Sequence, residues 1–501
     1  MSKTTKTKPK SRTDRFPAPV YAKTVLAVNF DDAKKYFLEA LIEIHYAHTL
    51  MLARQGIISP EDAHACLRAL DRLDRKAIAA AVYDGRCEDL FFYIEGQLSK
   101  YCGEDVAGKM HTARSRNDID LTQYRMRLRQ EVLKVAEAAL CVRQELTRLA
   151  AANVGTVMPA YTHTQPAQPT TLAHYLLAAI ELLGRDETRL QAAFATINRN
   201  PLGACAITTT GFPIDREYTA RLLGFEGLQI NSYGAIAAID YLTESASAVA
   251  VAMINLGKLV QDLLLWGTAE YRFLRLSDAF VQISSIMPQK RNPVSLEHTR
   301  ILASKALGQA QAILTCAHNT PFGDIVDSED DLQPLAFSMF ADVERALRLF
   351  AGLMAHCQVD RRRMRERANA GFLTVTELAD TLVRHEGLSF RLAHRLVSAA
   401  VRAVGADYDP QRLIAETERL APRITGNALR TGTKDLLRAL DADNFVRVRA
   451  IPGGPAPAAV KPELERARQE MKQMSAWLAQ KRKLLKDYPR LIRDAATEIS
   501  V

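Results

Sequence analysis

Aromatic residues are scarce in this chain of 501 residues, at 7% with only two tryptophans. Scarcity of that kind beside abundant Ala, Leu and Arg favours helix, and strands are hard to place anywhere. Paired cysteines are also lacking. The seven cysteines stand far apart at 66, 87, 102, 141, 205, 316 and 357, with no CxxC or zinc spacing. That pattern argues against a metal site and for the reduced thiols of a cytoplasmic protein. The N-terminus has no apolar core or cleavage pattern, so no secretory signal is expected. A membrane span is not expected either: Lys258 and Asp262 interrupt the most apolar run, Ala246 to Trp266, which reads as a buried bundle helix. Internal repeats are absent.

What is present is ordinary globular material, 48% hydrophobic and 25% charged, in a chain long enough for a large core and two or three domains. The net charge of +9 is misleading as a sign of nucleic-acid binding. Six cations against Asp14 in the first 20 residues supply +5 of it. The body is only mildly basic, which suits a site that collects small dicarboxylates as well as it suits nucleic acid, so nucleic acid is not the expected partner. An all-α fold is expected, divided into a disordered basic tail (1–20), an N-terminal helical domain (21–118), a central helical-bundle domain (119–370) and a C-terminal helical domain (371–501).

Along the chain, Phe30, Phe37, Leu41, Ile44 and Met51 are spaced for one buried helical face. Ser59-Pro60-Glu61-Asp62 reads as a capped helix start, and a third helix is expected over Glu88 to Lys100. Long helices are predicted from Ile119 to about Leu149, Leu172 to Ile197, Ala235 to Leu274 and Val294 to Thr315. A charged helix from about Glu463 to Lys486 follows the linker Pro452–Pro457. Helices this long cannot bury their apolar stripes within one protomer, so a bundle completed by other subunits is expected.

Three segments read as loops carrying polar chemistry. The first runs from Gly108 to Asp118 and offers the Arg116 guanidinium and the Asn117 amide. The second, Pro159 to Pro169, offers Thr162 and His163. The third is Ser284-Ser285-Ile286-Met287-Pro288-Gln289-Lys290-Arg291-Asn292-Pro293, where prolines discourage helix and leave backbone donors free. Removing a proton beside a carboxylate creates a dianionic intermediate, and such a site needs several cations and hydrogen-bond donors. A serine base would need its environment to favour the alkoxide, and Ser284 has backbone donors of its own loop and Lys290 to do so. No Gly-x-Ser-x-Gly elbow surrounds it, which argues against an acyl-enzyme hydrolase. Glu297 could orient His163, or the pair could be structural.

The segments HTARSRND, YTHTQPAQP, NPLGACAITTTGFPIDREYTARLLGF, SSIMPQKRNP, GFLTVTELAD and GGPAPAAV resemble, in order and spacing, the argininosuccinate lyase branch of the fumarase/aspartase superfamily. The likeness runs from about Phe30 to Lys461. It implies three helical domains, a long central bundle completed in a homotetramer, sites built from loops of three protomers, and no cofactor. It implies an enzyme that eliminates fumarate from an N-substituted aspartate. By matched position, Ser284 is the base, Lys290 and Asn292 bind and stabilise the carboxylate, Arg116 and Asn117 hold the fumaryl half, and Thr162 and His163 complete the site. Ser285 and His45 are carried over as substrate contacts.

The chain also departs from that branch. His45 stands where a serine is usual, Phe91 where a histidine is. At the amine half, a tyrosine, a glutamine and a lysine give way to Asp324, Glu329 and Leu332. Two anions gained and one cation lost predict a preference for amines with more positive charge and no carboxylate. Two rival readings are a lyase for another N-succinyl amine, resembling ethylenediamine-disuccinate lyases, and a crystallin-like protein without turnover. Intact Ser284, Lys290 and His163 argue against the second.

Overall fold

The computed structural model describes residues 16–499. Most of the segment expected to be an unstructured tail lies outside the described residues. Its last part does not fit that expectation, since Pro19–Tyr21 already forms a helical turn, with proline at a position where its missing N–H costs nothing.

The face predicted from Phe30 to Met51 is real but belongs to two helices, Ala27–Tyr36 and α1 (Leu38–Arg54), broken at Phe37. Ser59 caps the helix Pro60–Asp71 by accepting the Asp62 N–H at 3.1 Å. The third helix spans Leu90–Cys102 with Asp89 as its cap. α2 (Arg116–Ala151) starts earlier than predicted, because Ser115 and Asp118 form a reciprocal capping box that stabilises the first turn by about 1 kcal/mol. Arg116 and Asn117 therefore sit on a helix rather than in a loop.

The second predicted loop is instead an antiparallel hairpin, β1 (Val157–Thr162) and β2 (Gln165–Thr171), in register Thr162 to Gln165 and Val157 to Thr171. Its prolines, at 159, 166 and 169, hid the pairing from a sequence reading, since only an edge ribbon accepts them. α3 (Leu172–Ile197) has the predicted bounds. Where one helix was predicted from Ala235 to Leu274, a short helix Ser232–Ala237 precedes α4 (Asp240–Trp266), and Leu274–Arg275 pairs with Gln358–Val359. A small ribbon, β3 (Gln282–Ile283) with β4 (Arg291–Asn292), closes the Ser284 loop before α5 (Val294–Ala317) and α6 (Gln333–His356).

Helices α2 to α6 form a closed ring, each packed on the next and α6 returning to α2. Neighbours alternate in direction, as Tyr175 at the start of α3 bonding Asp262 near the end of α4 shows. α6 and α2 are the exception and run parallel, with Tyr124 bonded to Asp330 at one end and Arg148 to the Ala355 carbonyl at the other. Arg125, Arg129 and Arg143 are fully buried on α2. Buried charge is tolerated only when paired, and each is: to the Thr196 carbonyl at 2.8 Å, the Leu223 carbonyl at 2.7 Å and Glu187 at 2.8 Å. The first and third of these bonds fix how α2 lies against α3.

α4 is by length and composition apolar enough to cross a membrane, yet it is a staff of this ring, with Ala246, Val249, Leu256, Val260 and Leu263 in the core. Helices between Val375 and Ala439 have their own smaller core. The division at residue 371 nevertheless fails for the last helix, α7 (Pro457–Ile499), which is longer than predicted. It returns along α2 and α3, placing Leu464, Met471 and Leu478 in the bundle core and Tyr488 and Ile492 in the N-terminal core.

Candidate functional site

The ring has two functional ends, and α2 separates them. α2 has 36 residues, which at ~1.5 Å per residue puts about 50 Å between Arg116 and the hairpin that follows the other end.

At the first end, Asp118 is fully buried and holds three backbone donors. It accepts the Ser115 N–H at 2.9 Å, the Gly203 N–H at 2.7 Å and the Cys205 N–H at 2.9 Å. Burial pushes its carboxyl up to about 6, against the pull of those three donors. The loop it grips, between α3 and the helix that starts at Arg216, needs a glycine at 203. There φ is +90°, and a Cβ would come within 2.6 Å of the Arg216 side chain laid across it. Asn117 donates to the Ala206 carbonyl at 3.2 Å, so its amide faces the same loop. Arg116 pairs with Asp89 at 2.6 Å and Glu88 at 3.1 Å. Asp118 and the Glu88-Asp89 pair were not picked out from sequence. The signal for Asp118 was there, because a serine followed three residues later by an acid at a helix start, as in Ser115 and Asp118, is a capping box.

Asp324 and Glu329 come to this same end. They lie on the connection between α5 and α6, and burial, then the facing Asp324 carboxylate, pushes Glu329 up to about 8, while Arg116 pulls it the other way. Leu332 is buried in the bundle core. His45, carried over as a substrate contact, is closed off from solvent within this chain. It is 0% exposed, with its ring 5.7 Å from that of Phe91 and both ring nitrogens lacking a hydrogen-bond partner among the described residues. Burial, and then the Arg114 charge, keep it neutral far below the usual histidine range.

At the second end, Thr162 and His163 form the exposed tip of the β1–β2 hairpin. His163 and Thr164 have φ of 50° and 61°, the two left-handed residues that a two-residue turn between twisted strands requires. The Ser284 loop lies at this end too. Ser284 Oγ accepts the Met287 N–H at 3.1 Å and the Ile286 N–H at 3.3 Å. Two donors on one hydroxyl oxygen favour its anionic form. Lys290 closes the loop by donating its N–H to the Met287 carbonyl at 3.0 Å, and a cavity of about 1210 Å³ runs beside Met287, Lys290 and Asn292. Ser285 and Lys290 are exposed. Glu297 is exposed in the first turn of α5, and among the described residues no bond joins it to His163. One chain therefore gathers Arg116, Asn117, Asp324 and Glu329 at one end, and His163 and Ser284 with Lys290 and Asn292 at the other.

Known proteins share this arrangement of sequence and fold. The family described as Lyase matches residues 34–308, and the argininosuccinate lyase C-terminal family matches 372–447. The chain is 42% identical over 456 residues to argininosuccinate lyase 2 of Agrobacterium fabrum, covering 89% of both chains. It is 39% identical to argininosuccinate lyase of Methanoculleus marisnigri, covering 89% of this chain and 90% of the relative. Among solved structures, an EDDS lyase in complex with formate superposes with a TM-score of 0.86 at 33% identity, over 95% of this chain and 97% of that one. With one family match over more than half of the chain and relatives about 40% identical over nearly nine-tenths of it, the chain belongs to the argininosuccinate lyase branch of the fumarase/aspartase superfamily and is a carbon–nitrogen lyase.

Proposed function

We propose that this enzyme eliminates fumarate from an N-substituted aspartate, argininosuccinate or a close analogue, with Ser284 as base, and that it does so as a homotetramer whose sites each draw on several subunits. The observation that carries the base assignment is the pair of backbone N–H groups aimed at Ser284 Oγ. Ser284 takes the proton from the carbon beside a carboxylate, and the electron pair moves onto that carboxylate. Lys290 and Asn292 stabilise the resulting dianion. Collapse forms the carbon–carbon double bond and breaks the carbon–nitrogen bond. The departing nitrogen needs a proton, and His163 is the group on the hairpin able to deliver it, with Glu297 of an adjoining helix to orient it. Arg116, Asn117, Thr162 and Ser285 hold the fumaryl half.

Sharing between subunits is supported by distance. Arg116 and His163 stand about 50 Å apart on either end of α2, too far to touch one substrate, whereas an antiparallel neighbour would set its second end beside the first. The bundle also carries apolar side chains on its outside, Ile254 at 50% and Ile301 at 60% exposure, which a partner bundle would cover. All seven cysteines are free, in keeping with a cytoplasmic enzyme. Basic residues of the tail lie outside the described structure, and nucleic acid has no part in this reading.

Subunit mixing tests both points. Ser284→Ala and His163→Asn proteins, each inactive alone, are expected to regain part of the wild-type rate once their subunits exchange. Exchange demonstrated by mass, with no recovered activity, would rule out shared sites.

A further inference from the structure

The first end of the ring carries far more negative charge than its catalytic role requires. Arg116 is already matched to Asp89 and Glu88. Behind it, Asp330 accepts the Tyr124 hydroxyl at 2.6 Å, and Asp120 accepts Gln123 Nε2 at 2.8 Å. Asp324 and Glu329 face one another across the same space. Mutual repulsion adds to burial in holding the Asp120 and Glu329 carboxyls above their ordinary range. No lysine offsets them on the connecting segment, where Leu332 is built into the core.

A second observation shows that the cluster is short of donors and not merely acidic. Gln123 is only 5% exposed, and while its amide nitrogen serves Asp120, its Oε1 is buried with no hydrogen-bond partner. A buried acceptor without a donor is costly. An acceptor-rich, anionic recess beside the Arg116–Asn117 pair is suited to a ligand group that brings both N–H donors and positive charge.

We propose that the amine half of the substrate is a cation without a carboxylate, a diamine or guanidino-amine whose distal positive group is held by Asp324, Glu329 and Asp330. This rests on the elimination reading above and names its substrate class. In the direction of synthesis, the neutral amine attacks one alkene carbon of fumarate, the carbon–nitrogen bond forms as the carbon–carbon double bond opens, the neighbouring carbon takes its proton from the Ser284 hydroxyl, and His163 accepts the proton that the nitrogen sheds. The distal cation stays intact throughout. An amino acid offered in its place would set its α-carboxylate against the cluster, like charge against like.

The experiment compares amines that differ only by that carboxylate, adding each to fumarate: agmatine against arginine, and putrescine against ornithine. Agmatine and putrescine are expected to have kcat/KM at least tenfold above their carboxylated partners. The double variant Asp324→Asn, Glu329→Gln is expected to shrink both ratios, mainly by raising KM for the diamines. Arginine and ornithine performing as well as their counterparts would overturn the assignment while leaving the reaction in place. Failure of every amine to add to fumarate would instead remove the elimination reading, and this proposal with it. If the double variant does not fold, the wild-type ratios decide alone.

Discussion

Ser284→Ala is expected to lower kcat by about a hundredfold to ten-thousandfold, the usual weight of a positioned general base, with little change in KM or melting temperature. The side chain sits in a loop and is not among the buried residues, so its removal should leave no core cavity. Its oxygen is the acceptor for the Ile286 and Met287 N–H groups, and both donors lie in an exposed stretch where water can replace it. The loss should therefore appear in turnover rather than in binding. Steady-state rates on argininosuccinate, or on whichever N-succinyl amine proves best, measure it. A variant with near-normal turnover would transfer the base role to another group, with His163 first in line. Ser284→Cys separates the two effects: a thiol restores a titratable group at the same place, so recovery of rate at higher pH would support proton abstraction from this position.

Much of this site could be read from the sequence because its determinants are local. Ser284 and the N–H groups that tune it are neighbours in the chain, and the prolines at 288 and 293 exclude helix there whatever packs nearby. Helix ends set by caps were equally readable at Ser59 and at Thr171, whose hydroxyl accepts the His174 N–H at 3.2 Å. What escaped was set by contacts distant in sequence. The hairpin over Val157–Thr171 is paired through three prolines that no strand propensity would allow. α7 runs back over the bundle because Leu464, Met471 and Leu478 find their partners on helices several hundred residues earlier. His45 was matched to a substrate contact by position, and only its packing beside the ring of Phe91 shows that it is buried. The acidic recess divides the same way: Asp324 and Glu329 were visible as departures, whereas Asp120, Asp330 and Tyr124 meet only because α6 and α2 run parallel.

Asp118→Ala is expected to cost more stability than any other single change at the site and to impair substrate binding as well. The carboxylate satisfies Ser115, Gly203 and Cys205 N–H groups inside the protein. Truncation leaves those three donors to compete for whatever water can enter, at about 1–3 kcal/mol for a buried unpaired group, so a total loss of several kcal/mol is expected. The α2 capping box goes with it, and so does the tie between that helix start and the 200–205 loop, which together aim Arg116 and Asn117. KM should rise by more than kcat falls if, as proposed, both residues bind rather than react.

Titration supplies a check that simple unfolding would not. Asp118 has its folded-state pKa raised from 3.8 to about 6, so the folded protein holds the proton more tightly than the unfolded chain. Folding is therefore favoured as pH falls from about 6 towards 4. Between pH 7 and pH 5 wild type should gain on the order of 1 kcal/mol relative to Asp118→Ala, which has no carboxyl to titrate. Parallel denaturant midpoints at pH 7 and pH 5 measure the difference. A gap between the two proteins that stays constant or narrows on acidification would mean that the Asp118 carboxyl is not held in its protonatable, buried setting.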